Sequence, residues 1–155
     1  MSSVIKTNTV FTDKECLVLA LKAVGTNVSF ASDKEILTDR IDFYGPEKFV
    51  FENGRFIFYY DSWADHMGWL NQGNLKKWLP TAEWLKEVDS QYRKYREEKM
   101  ERLSIEKRKI EEEKIKKLNE QRCNEIITKA KNEGYDVAQV EEDGKIRLVL
   151  TRITY

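Results

Sequence analysis

Between Pro80 and Gly134 the chain contains neither glycine nor proline. Those two residues punctuate turns and helix ends, so their absence excludes a string of loops there and leaves a helix as the expected state. Histidine and cysteine are nearly absent as well. His66 is the single histidine, and Cys16 and Cys123 stand far apart with no CxxC spacing, which excludes a disulfide framework, a zinc ribbon or a redox pair. Unpaired thiols and an opening, MSSVIKTNTV, with no apolar leader core lead us to expect a reducing, cytoplasmic location. Long hydrophobic runs are missing too: the longest, Cys16 to Val24, is broken by Lys22 and falls far short of the roughly twenty residues that cross a bilayer. No membrane partner is expected. Nor does one sign of charge dominate, because 27 Lys and Arg balance 27 Asp and Glu; no overall field steers the protein toward polyanions. The seven glycines form neither GxxxxGKS/T nor GxGxxG, so no nucleotide or other cofactor is predicted.

What the chain does have is unevenly placed. In the segment 91–122, 20 of 32 residues are charged and 8 are hydrophobic, whereas the remainder has an ordinary globular composition. We therefore expect residues 1–90 to form the first part of an α+β domain, 91–122 a charged helical arm inserted into it, and 123–155 a helix end and closing β-hairpin that complete the same domain.

Val4 to Phe11 alternates as a strand, and Thr12-Asp13-Lys14-Glu15 reads as a capping box with Thr12 as cap. Leu17, Ala20, Leu21 and Val24 recur at helical spacing, with Gly25 placed to end the helix and Asn27 to Ala31 a short strand after it. Ser32 to Gly45 fits neither period and reads mostly as loop. Phe49–Glu52 and Arg55–Tyr60 flank Asn53-Gly54, the dipeptide that best supplies the two positive φ angles of a type I′ turn. Ser62 is placed to cap a short helix bearing Trp63, His66, Met67 and Leu70, and a further turn spans 74–79. Thr81 is expected to cap the long helix, whose Leu85, Val88, Tyr92 and Tyr95 make a docking face. Charge pairs at i,i+4, such as Glu98 with Arg102, Glu112 with Lys116 and Glu113 with Lys117, support its polar continuation. Tyr135–Val140 and Lys145–Ile153 alternate around Asp143-Gly144 as a second hairpin. Because Leu17–Val28 aligns with Ile126–Val137 without a gap, both helices are expected to pack on one shared sheet. The fold predicted is a two-layer α+β sandwich, a mainly antiparallel sheet of about six strands with helices on one face, plus the long charged arm.

The stretches IKTNTVFTDKECLVLALKAVG, ENGRFIF and EGYDVAQVEEDGKIRLVLTRI resemble the conserved hypothetical reading-frame family of cyanobacteria and plastids, domain of unknown function number twelve fifty-seven. In pieces the resemblance covers the larger part of the chain. The segment 91–122 looks like an expansion of a much shorter helix in that family, and the tryptophan-rich 63–84 does not match it. The resemblance implies no enzymatic activity and no catalytic residues; it implies an accessory or adaptor role, since such proteins are often encoded beside AAA-type ATPases.

A straight helix over 81–133 would measure about 80 Å, against roughly 30 to 35 Å for a domain of this size. Either the helix folds back on itself as a hairpin, or it spans two lobes, or it carries the last hairpin to a second copy in a homodimer. Three functional readings follow. The first is a non-enzymatic interaction or adaptor module, binding a protein partner or itself through the aromatic residues Trp63, Trp69, Trp78 and Trp84 and a coiled-coil-like stripe of Leu103, Ile110, Ile115 and Leu118. In the second, nucleic acid is bound through Arg93, Lys94 and Arg96 with Lys107, Arg108 and Lys109, a reading weakened by the interleaved glutamates. A metal or general-base site at His66 with Asp61 and Asp65 is the third; a lone histidine on a short helix is more often structural.

Overall fold

The computed structural model describes residues 3–65 and 79–153. The elements run β1 (Val4–Asn8), α1 (Lys14–Ala23), β2 (Val28–Ser32), β3 (Glu35–Asp42), β4 (Gly45–Glu52), β5 (Arg55–Asp61), α2 (Thr81–Asn132), β6 (Tyr135–Glu142) and β7 (Lys145–Arg152). The predicted α+β class is what the chain adopts. It divides into two compact units, Met1–Glu101 and Arg102–Tyr155, so the division falls within α2.

In the first unit the five strands form one antiparallel sheet in the order β1-β5-β4-β3-β2. Its inner face brings Ile36, Phe49, Phe56 and Phe58 against Cys16, Leu17, Ala20 and Leu21 of α1 and Trp84, Val88 and Tyr92 of α2. Asp13, not Thr12, caps α1, its side chain accepting from the Cys16 N–H at 3.1 Å. At the other end Gly25 takes φ +85°; its N–H donates to Lys22 O and that of Thr26 to Leu21 O, the paired bonds that close a helix onto a left-handed residue. Asn53 and Gly54 both have positive φ, as a type I′ turn requires, and Glu52 pairs with Arg55 across it.

Strand β3 occupies what the sequence reads as loop. The residues it turns inward are Ile36, Thr38, Arg40 and Asp42; three of the four are polar, which hides the alternation that marks a half-buried strand. Thr81 opens α2 but is itself held from outside: Asp65 Oδ1 accepts from its N–H at 2.7 Å and its hydroxyl at 3.0 Å. From there α2 runs unbroken through 52 residues, so the helix does not fold back into a hairpin.

In the second unit β6 and β7 pair only with each other, in a two-stranded sheet of their own. The expectation that they would complete the first sheet is corrected accordingly, while α1 and the start of α2 do share that sheet. The gapless likeness of 17–28 to 126–137 marks a shared local turn, with Gly134 also at φ +85°, rather than a shared sheet. A helix, glycine and strand can be specified by local bonds alone, whereas strand order depends on contacts distant in sequence.

Candidate interaction surfaces

Trp84 does not belong to a docking surface. It is 3% exposed, its ring lies 5.3 Å from Phe58 and 6.1 Å from Phe49, and its indole N–H donates to Thr26 Oγ1. The apolar spacing that put it on the helix face also put it in the core. Trp63, by contrast, is half exposed, with its N–H on Asp61 Oδ1. Trp69, Trp78 and His66 lie outside the described residues.

Beneath the start of α2 lies a buried polar group that the sequence does not announce. Arg40 stacks on Trp84 at 4.6 Å from the ring centroid and donates from Nε to Glu47 Oε2 at 2.6 Å and from an NH group to Leu79 O at 2.9 Å. Both side chains of the Arg40–Glu47 pair are wholly buried. Burial pushes the Glu47 carboxyl up to about 7 in spite of Arg40, with the nearby Asp42 and Asp65 adding to the rise. Asp42 is also raised, chiefly by burial, while its Oδ2 accepts from the Asp61 N–H. Among the described residues no cluster of His, Cys, Asp and Glu is arranged to hold a metal; Asp61 and Asp65 bind backbone and helix start instead.

On the surface of this unit, Val4, Tyr44, Pro46, Tyr59 and Tyr60 line a shallow concavity of about 270 Å³. The first basic cluster is partly spoken for: Arg93 pairs with Asp89 at 3.0 Å and Arg96 reaches Asp13 at 3.5 Å, while Lys94 is exposed. Lys99 bridges Asp13 and Glu15 at 2.8 and 2.7 Å, and those two carboxylates raise its pKa. Burial acts to raise the Asp13 carboxyl, but bonds from Lys99 and the Cys16 N–H outweigh it and leave it lowered.

The second unit has a different character. Among its described residues only Ala130 is buried. Leu103, Ile105, Ile110, Ile115, Leu118 and Ile126 of the helix and Val140, Ile146, Val149, Leu150 and Ile153 of the hairpin region all stand more than a third exposed. The four residues expected to make one stripe do not lie together. At about 100° per residue Leu103, Ile110 and Leu118 share a sector of about 80°, and Ile115 lies well outside it. Ile115 instead joins Cys123, Ile126 and the hairpin's Ile146 around a cavity of about 700 Å³ between helix and hairpin. Lys107, Arg108 and Lys109 are exposed, and of the described i,i+4 positions on α2 only Arg93–Asp89 makes an ion pair; the predicted pairs at Glu98, Glu112 and Glu113 are not formed.

The chain is thus an α+β protein in which a helix docked on a five-stranded sheet continues into a unit with little core of its own, and among the described residues no helix is long and apolar enough to cross a membrane. No protein-family model, curated protein or solved structure matches it.

Proposed function

We propose that this chain is a non-enzymatic interaction module whose second unit is stabilised by what it binds, a second copy or a protein partner. One observation carries the reading: residues 102–153 place apolar side chains in two exposed sets, on α2 and on the β6–β7 hairpin, and bury only Ala130. A two-stranded hairpin is marginal in water by itself, and exposed apolar surface of this extent marks interaction sites. The accessory role beside an AAA-type ATPase rests on the family resemblance and supplies one partner to try. Substituting Leu103, Ile110 and Leu118 together by Ser tests the reading without touching the first unit's core. Light scattering and hydrogen exchange across β6–β7 should show loss of association and faster exchange. A wild-type chain that stays monomeric at every concentration, with its hairpin fully protected, overturns it.

A second reading has its own support in Lys107, Arg108 and Lys109, exposed and without ion pairs among the described residues. Binding of nucleic acid through them would weaken steeply with salt. The adjacent Glu111, Glu112 and Glu113 repel a polyanion and place this reading second. Equal binding of a short duplex by wild type and a K107E/R108E/K109E variant would remove it.

A further inference from the structure

The charges of the second unit's helix mirror one another about Ile110. Lys107-Arg108-Lys109 precedes it and Glu111-Glu112-Glu113 follows; one step further out Glu106 answers Lys114, and beyond them Ile105 answers Ile115. Every charge within four residues of Ile110 therefore has the opposite charge at the mirrored position. Three consecutive residues span about 200° of a helix at about 100° each, so each block sets its sign on both flanks of the Ile110 face.

The pattern is not used up inside the chain. Among the described residues none of the six block residues forms an ion pair. Pairing along one helix, Lys107 with Glu111 and Arg108 with Glu112, would also have base before acid, the weaker order for an i,i+4 pair. Beside the blocks, Leu103, Ile110 and Leu118 are 48, 49 and 47% exposed, a short apolar seam without cover.

We propose that two copies of the chain pair antiparallel through residues 103–118, with the two-fold axis at Ile110. This deepens the interaction reading, on which it rests, by naming the partner and its register. Parallel pairing in register sets basic block level with basic block and acidic with acidic, and like charges brought together at an interface are strongly unfavourable. A staggered parallel pair is not closed by a two-fold and leaves one surface open to further addition. The antiparallel pair sets each basic block level with the acidic block of the other copy on both sides of the axis. It also brings Ile110 of the seam level with Ile110 of the other copy.

The test uses full-length chains in sedimentation velocity over a range of concentration. Reversing one block, as E111K/E112K/E113K or K107E/R108E/K109E, should weaken the dimer by about tenfold or more, since like blocks then face each other. Reversing both blocks in one chain should restore it, because the mirrored complementarity returns with opposite sign; a parallel dimer gains nothing from that change. All six positions are exposed, and helix content by circular dichroism checks that the variants remain folded. In a Cys123→Ser background, Ile110→Cys should cross-link copy to copy and Leu103→Cys should not. A dimer indifferent to single reversals, a double reversal as weak as the single ones, or a Leu103→Cys cross-link overturns the register while leaving the interaction reading in place. A wild-type monomer at all concentrations overturns the register, and the self-association with it, and leaves the arm to a different protein.

Discussion

Arg40 and Glu47 face each other in the first unit with both side chains removed from water and Glu47 Oε1 without a partner among the described residues. Breaking such a pair from one side is far more damaging than replacing it whole, because the survivor is a buried, uncompensated charge. Arg40→Ala should therefore cost about 3 to 5 kcal/mol, and it also removes the stack on Trp84. Arg40→Met with Glu47→Leu should come much closer to wild type. Urea unfolding of the three chains measures the difference. The pair also sets a pH dependence. Glu47 ionises near its ordinary 4.5 when unfolded and at about 7 when folded, so the folded state holds its proton more tightly. That contribution is complete below pH 4.5 and is lost as pH rises to 7, on the order of 3 kcal/mol over the interval. Asp42, raised as well, acts in the same direction; Asp13, lowered, acts oppositely and only in more acidic solution. Unfolding free energies at pH 5 and pH 8 should show the fall, and Glu47→Gln should flatten much of it.

At the scale of elements, the ends of the helices are held by identifiable contacts. Asp65 accepts both the N–H and the hydroxyl of Thr81 at the start of α2, so Asp65→Ala should lower stability by about 1 kcal/mol, as loss of a helix cap does. Gly25→Ala should cost about 1 to 2 kcal/mol through backbone strain alone, because its φ is +85° and a Cβ there meets nothing within 4 Å. Both changes are read by thermal or denaturant unfolding. Tyr92 fastens the two helices: its hydroxyl accepts from the Thr12 and Asp13 N–H groups, both at 3.0 Å, and its ring lies 4.7 Å from Phe11. The docking face of Leu85, Val88, Tyr92 and Tyr95 was legible in the sequence because a 3.6-residue period survives in any helix that lies on a core. Strand β3 was not, because its inward Thr38, Arg40 and Asp42 are paid for by partners distant in sequence.

At the scale of the whole molecule, the two units are held by different means. The first has a continuous aromatic and aliphatic core; the second has strong helix formers and a tight hairpin but almost nothing buried. Local opening follows the density of buried contacts. Hydrogen exchange should accordingly be slowest in α1 and β3–β5 and fastest in β6–β7, and protection of β6–β7 should rise with protein concentration if a second copy covers it. Protection there that is equal to the first unit's and independent of concentration would contradict that account.

The sequence by itself determined the helix from Pro80 to Gly134, the two hairpins with their Asn-Gly and Asp-Gly turns, and the glycine stops, because each depends on the backbone preferences of a few neighbouring residues. Only the tertiary structure decided that Trp84 is core, that the inner face of β3 is polar, that Ile115 lines a cavity with the hairpin's Ile146, and that β6 and β7 form a sheet apart from the first. In each of these cases the outcome depends on which surfaces meet, and burial belongs to the pair of surfaces rather than to either stretch of chain.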